Sequence, residues 1–205
     1  MSDQEPAATM VDVAFALEGP GLPHTHRRAL AETLERLLPW LDQVPGAGIH
    51  RVNVSAGGGT HALLSNRTRL TLRVPRECAA ETAALSGTTL PCGELTLRLG
   101  AAHERELLPW GTLYAHVVAA DDADESAFLQ AVDDELKTMD VRARVICGRY
   151  QALEGGALQG FSLMLDGLSA HHSLRMLEMG LGRHRHLGCG MFVPHKSAAA
   201  VGMPP

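Results

Sequence analysis

Between Gly180 and Gly190 the chain reads Gly-Leu-Gly-Arg-His-Arg-His-Leu-Gly-Cys-Gly, two Gly-x-Gly pairs framing an insert that holds Arg183, His184, Arg185 and His186. Glycine lets backbone N–H groups approach an anion with no Cβ in the way, and it reaches positive φ where a loop must turn. Arginine adds a fork of donors that matches phosphate oxygens. The combination suits a polyanion. The plainer alternative is a glycine-rich turn between a helix and a last strand, the default meaning of such glycines.

A second stretch, His24-Thr25-His26-Arg27-Arg28, combines imidazoles with fixed cations. Histidine titrates near neutral pH and can serve as base or acid there. On its own, His26 reads as a surface histidine in the first turn of an amphipathic helix. His24-x-His26 and His184-x-His186 have a spacing that zinc could use, but neither pair has a carboxylate or cysteine ligand set beside it, so no metal is assigned. His171-His-Ser173 and His195-Lys-Ser197 spell the His-x-Ser of two-histidine phosphoesterases. Those enzymes take one motif from each of two lobes, and here both motifs lie in the second half. His171 and His172 read equally as helical surface residues behind a Ser169 cap and as nucleic-acid contacts.

Charge separates along the chain. His171 to Lys196 holds Arg175, Arg183, Arg185, Lys196 and five histidines against one acid, Glu178, while acids gather at Asp121, Asp122, Asp124, Glu125, Asp133, Asp134 and Glu135. The net charge of −5 argues against a general nucleic-acid coat protein. With 205 residues, 45% of them hydrophobic, the chain can bury one large core or two small ones. No window offers about twenty unbroken apolar residues, and Met1 to Met10 has no apolar signal core, so no membrane span is expected and the expected setting is cytoplasmic. Cys78, Cys92, Cys147 and Cys189 are widely spaced and read as reduced.

The elements that must position these residues alternate regularly. Val11–Leu17 predicts a strand and Thr25–Leu41 a helix, with Leu30, Leu34, Leu37, Leu38 and Leu41 as its apolar stripe. Ile49–Ser55 predicts a strand, Gly57-Gly-Gly59 a loop through His61 and Asn66, and Arg67–Val74 a strictly alternating strand. Arg67, Arg69 and Arg73 share the face of that strand away from Leu70, Leu72 and Val74, either as a solvated face or as a phosphate track. A short helix over Pro75–Leu85 and a hairpin from Leu90 to Leu99 complete the first half. The second half repeats the order with Thr112–Val118, helix Asp124–Met139, strands Val141–Cys147 and Leu158–Leu165, helix Ser169–Leu181 and strand Met191–Val193. Two βαββαβ copies predict an α+β protein of two tandem ferredoxin-like (RRM-like) domains, 1–104 and 105–205. The second carries the glycine-rich loop 180–190 and a frayed tail, 197–205.

Two such halves, with the Gly-x-Gly…Gly-x-Gly loop between the last helix and last strand, resemble the RAMP superfamily of CRISPR-associated proteins. Leu22-Pro-His-Thr-His-Arg-Arg-Ala-Leu30 and Gly188-Cys-Gly-Met-Phe-Val-Pro-His-Lys196 resemble its small repeat-RNA processing endoribonucleases. The resemblance implies a metal-independent endoribonuclease, without cofactor, that binds the CRISPR repeat stem-loop and cleaves precursor crRNA to mature crRNA. The RNA's own 2′-OH attacks the adjacent phosphate and leaves 2′,3′-cyclic phosphate and 5′-OH ends. It implies a general-base histidine at the start of the first helix, His26, with His24 as the alternative. RNA contacts follow at Arg27, Arg28, Gly180, Gly182, Arg183, Arg185, Gly188, Gly190 and Lys196. Other subunits of a CRISPR effector complex are further partners it implies, and a non-catalytic repeat-hairpin-binding subunit is the rival reading. Intramolecular attack by a 2′-OH needs a base, an acid and donors on the pentacoordinate phosphate. Few aromatics (4%) favour recognition through hairpin shape and phosphates over base stacking.

Overall fold

The structure is a computed structural model that describes residues 8–54 and 61–196; the predicted strand end at Ser55, the Gly57–Gly59 loop and the tail 197–205 lie outside the described residues. In the first half, β1 (Met10–Glu18), β2 (Leu22–Pro23), α1 (His26–Leu37), β3 (Gly48–Ile49), β4 (His61–Ala62), β5 (Arg69–Pro75), α2 (Ala79–Ala83), β6 (Thr89–Cys92) and β7 (Leu95–Glu106) follow in order. The second half holds β8 (Thr112–Ala119), α3 (Glu125–Thr138), β9 (Arg144–Leu153), β10 (Leu158–Asp166), α4 (Ala170–Met179) and β11 (Phe192–Pro194). The sheets run β3-β5-β1-β7-β6 and β11-β8-β10-β9, with β2 and β4 as a separate pair. Numbered by their place in βαββαβ, the main strands stand 2-3-1-4 in one sheet and 4-1-3-2 in the other. Both halves are therefore ferredoxin-like.

Periodicity explains which faces are covered. Leu70, Leu72 and Val74 of β5 are fully buried, as are Val11, Val13 and Phe15 of β1. Leu30, Ala31 and Leu34 bury the inner stripe of α1, each leucine contributing about 1.5–3 kcal/mol. One continuous apolar cluster runs through both halves.

Several elements differ from their predicted extents. α1 stops at Leu37 rather than Leu41, because Pro39 disfavours helix in the residue before it; Leu38 and Leu41 remain buried through the turn that follows. β3 pairs only Gly48 and Ile49 with β5. One further bond follows, from the His50 N–H to the Thr71 carbonyl, and Arg51–Val54 then leave the sheet. β9 extends six residues past Cys147, and β7 runs on to Glu106. Both extensions are polar or glycine-containing and carry no apolar period.

Arg73 departs most from its sequence reading. It is 1% exposed, its Nε and Nη2 grip both oxygens of Asp12 at 2.8 and 2.9 Å, and its Nη1 donates to the carbonyls of Leu177 (2.7 Å) and Phe192 (3.0 Å). The Leu177 carbonyl lies in the last turn of α4, where helix carbonyls lack intrahelical donors and carry partial negative charge. One guanidinium thus fastens β1 and β5 of the first half to α4 and β11 of the second. His50 Nε2 lies 3.2 Å from the same Asp12. Burial alone would raise the Asp12 carboxyl, but attraction and hydrogen bonding from His50 and Arg73 hold it well below the usual carboxylate range.

Candidate active site

His26 is the first residue of α1, set by the short β2 strand and the His24–Thr25 turn. Its Nδ1 lies 2.7 Å from the Pro23 carbonyl. A carbonyl only accepts, so Nδ1 carries the proton and Nε2 presents a lone pair. Burial lowers the His26 imidazole below its ordinary value, the Pro23 carbonyl opposes this, Arg27 and His24 push it down and Glu154 pulls it up. The ring is neutral at neutral pH and correctly protonated to accept a proton.

His26 lines a narrow crevice with Arg27, Arg51, His186 and Gly188, so the fold brings the start of α1 to the glycine loop. Arg27 Nη1 donates to the Leu187 carbonyl at 2.7 Å. A Cβ at Gly188, whose φ is +80°, would come 2.7 Å from that nitrogen and 3.2 Å from the Ile49 carbonyl.

The loop folds mostly upon itself. The Gly190 N–H bonds the Val117 carbonyl while its own carbonyl receives the Leu181 N–H, and a Cβ at Gly190 would stand 1.8 Å from the Leu181 oxygen. Gly180 ends α4 at φ +66°, and both carboxylate oxygens of Glu135 accept the Gly182 N–H at 2.9 and 3.0 Å. A 3₁₀ turn covers Arg185–Leu187. The glycines at 180 and 190 are explained by close backbone approach, and Gly188 by the approach of the Arg27 guanidinium and the Ile49 carbonyl. The loop arginines have protein partners: Arg183 pairs with Asp121, and Arg185 Nη1 donates to the Gly182 carbonyl at 2.8 Å. Cys189, buried behind the loop, is pushed up to about 11 by burial, which outweighs Arg27 and Arg183.

A larger cleft of about 570 Å³ opens between the two sheets. Arg51, Arg67, Arg69 and Arg105 line it from the first half, Tyr114, His116 and Val193 from the second, and Gly188 and Arg51 also belong to the His26 crevice. Among the described residues lining it, Asp12 alone brings a carboxylate, and Arg73 and His50 already hold that group. Arg51 Nη1 lies 3.1 Å from His116 Nδ1. Arginine has no acceptor, so His116 Nδ1 accepts and its proton sits on Nε2, the reverse of His26. Burial, then Arg51 and Arg27, push His116 down to about 4. It is a neutral N–H donor.

The other predicted residues are dispersed. Arg28 is exposed on α1, near enough to His184 to join burial, Arg183 and His186 in lowering that imidazole. His24 is exposed in the turn before α1. Lys196 is exposed beyond β11, past the point where the His195 N–H reaches the Thr112 carbonyl, and it lines neither the crevice nor the cleft. Sequence reasoning missed Arg51, Arg105, His116 and Glu154. Strand alternation does put Tyr114 and His116 opposite Leu113, Ala115 and Val117, which is the one signal that could have found His116.

Comparison with known proteins places these observations. The family model described as Cas6 Crispr matches residues 11–197. The CRISPR-associated endonuclease Cas6 of Myxococcus xanthus (strain DK1622) is 35% identical over 194 residues, spanning 93% of this chain and 84% of its own length. A solved CRISPR-associated protein Cas6 superposes with a TM-score of 0.66 at 9% identity, over 91% of this chain and 100% of that one. A Cas6-related protein from Pyrococcus furiosus gives 0.60 at 13% identity, over 90% and 98%. A Cas6 substrate mimic complex gives 0.52 at 16%, over 89% and 97%. These structural likenesses are likenesses of fold.

Proposed function

The chain belongs to the Cas6 family, and from that premise we propose that it is a CRISPR repeat-specific endoribonuclease that cleaves precursor crRNA by metal-independent transesterification, with His26 as the general base. His26 Nε2 takes the proton from the 2′-OH at the cut site. The 2′-oxygen attacks the adjacent phosphorus, the bond to the 5′-oxygen breaks, and the products carry a 2′,3′-cyclic phosphate and a 5′-OH. Arg27 and Arg51, beside His26 in the crevice, supply positive charge to the pentacoordinate phosphate, and the acid that protonates the 5′-oxygen is unassigned. The observation that carries this reading is the Nδ1 hydrogen bond to Pro23, which leaves a lone pair on Nε2 beside the glycine loop.

The RNA is the repeat stem-loop, with its phosphates following Arg51, Arg67, Arg69 and Arg105 in the cleft. That track is favoured over Arg183 and Arg185 because its four arginines line one cleft that shares Arg51 with the His26 crevice, whereas Arg183 and Arg185 line neither. The described helices include none long and apolar enough to cross a membrane, and the proposed setting is cytoplasmic. Retained product would be passed to other subunits of an effector complex.

The test is incubation in EDTA with labelled cognate repeat RNA, beside the same RNA carrying a 2′-deoxy residue at the cut site. Cleavage of the first alone, with a cyclic phosphate end, is expected. Tight binding with neither RNA cut overturns the catalytic reading in favour of a repeat-hairpin-binding subunit.

A further inference from the structure

The β9–β10 hairpin of the second half reaches across to the first half. Its tip is Glu154-Gly155-Gly156, with φ values of 51°, 67° and 93°, a run of left-handed residues that turns the chain sharply at its far end. There Glu154 Oε1 accepts the backbone N–H of Arg27 at 3.2 Å. Arg27 is the second residue of α1, so this N–H is one of the four that a helix leaves unpaired at its start. Such a donor is ordinarily satisfied by the side chain of the capping residue. Here Thr25 occupies the cap position and its side chain makes no capping bond. A carboxylate from the other half takes that place, where the partial positive charge of the helix start favours an anion.

We propose that Glu154 is a positioning residue for cleavage, acting on the base through the first turn of α1, and that the hairpin tip thereby makes the second half a working part of the first half's active site. The inference rests on the reading of His26 as the base. It has two components. By holding the Arg27 N–H, Glu154 fixes the turn that carries His26 and so the direction of Nε2. By its charge, it stabilises the protonated imidazole. The charged and titratable groups around His26 come from every neighbouring element: His24 from the turn before α1, Arg27 from α1, Glu154 from the hairpin tip, His50 and Arg51 from the segment after β3, and His186 from the glycine loop. Cys92 of β6 reaches the His26 carbonyl with its Sγ at 4.0 Å. Glu154 is the carboxylate of this set. Against burial, Arg27 and His24, which lower the imidazole, its charge acts in the opposite direction.

Glu154→Gln removes the charge and keeps the shape and an acceptor oxygen, whereas Glu154→Ala removes both. A base that is more easily deprotonated remains neutral to lower pH, so the acid limb of single-turnover cleavage by E154Q is expected to move to lower pH than in the unsubstituted protein. E154A is expected to slow cleavage on the plateau by up to about 10²-fold, as a displaced base does, while repeat-RNA affinity is retained as a check of folding. The His26 imidazole, followed by NMR titration in free protein, should move in the same direction in E154Q whether or not the protein cuts RNA. Failure of the endonuclease reading is thereby separated from failure of this one. An unchanged His26 titration in E154Q overturns the proposal. A merely structural Glu154 would lower the rate in E154A and leave that titration in place.

Discussion

Gly188 and Arg27 contend for the same space: a Cβ at Gly188 would stand 2.7 Å from Arg27 Nη1, while Nη1 itself holds the carbonyl of the preceding Leu187. The contact joins the glycine loop to the helix that begins with His26. Gly188→Ala must strain a left-handed residue, at about 1–2 kcal/mol, and move the guanidinium. A Tm lower by roughly 3–6 °C is expected, together with a larger loss in single-turnover cleavage than in RNA affinity. Wild-type cleavage by this variant would show that the contact does not hold the crevice.

His26→Ala should reduce single-turnover cleavage by about 10²–10⁴-fold, the usual range for a lost general base, with repeat-RNA affinity unchanged. Because the imidazole is lowered and the neutral form is active, the rate rises with pH through a midpoint below the ordinary histidine value and is flat above it. A rate–pH profile on the unsubstituted protein checks this. A midpoint above the ordinary value would contradict the burial of the ring.

The contrast between His26 and Arg73 shows what was legible in the sequence. The βαββαβ order, the leucine stripe of α1 and the inward faces of β1 and β5 could be read from period alone, because burial of one face is a local consequence of spacing. Alternation also puts Arg67, Arg69 and Arg73 on one face of the predicted strand Arg67–Val74, of which β5 takes up the part from Arg69 onward. It could not tell that the second half covers that face at Arg73 and leaves the cleft open at Arg67 and Arg69. The neighbourhood of His26, Arg51 and Gly188 comes from three distant segments, and its assembly depends on how the halves dock. The predicted strand ends at Cys147, short of the end of β9, because Gly148 and the polar residues after it carry no apolar period; Gly148 is instead needed by close approach, a Cβ there meeting Ser162 Oγ at 2.2 Å.

Arg73→Met should destabilise the protein by about 3–5 kcal/mol, since it strips a partly buried carboxylate of its bidentate partner. Asp12 gives the matching pH dependence. Its folded carboxyl lies below the unfolded value, so its contribution is full above the unfolded value of about 4 and is lost as pH falls below it. Denaturant unfolding of the unsubstituted protein and Asp12→Asn should therefore differ most near neutral pH and converge in acid. A constant difference would remove Asp12 from the account.

In the cleft, alanine at Arg51, Arg67, Arg69 or Arg105 should each weaken repeat-RNA binding and reduce the slope of log affinity against log salt by about 1. His116→Ala should weaken binding by the same factor at about pH 6 and about pH 8, since a neutral N–H donor has no charge to lose over that range. A factor that shrinks as pH rises would assign His116 a charged role. Affinity indifferent to salt would exclude the arginine track.

Arg73 fastens the second half through two main-chain oxygens, those of Leu177 and Phe192. Any amino acid at those two positions carries the same oxygen, whereas the donating end depends on a single guanidinium and its Asp12 partner. The Leu177 and Phe192 side chains are buried in the core, so descendants of this chain can exchange them for others that fill the same space without undoing the bolt. A hybrid joining this first half to a distant cousin's second half would inherit it, provided the backbone there follows the same path.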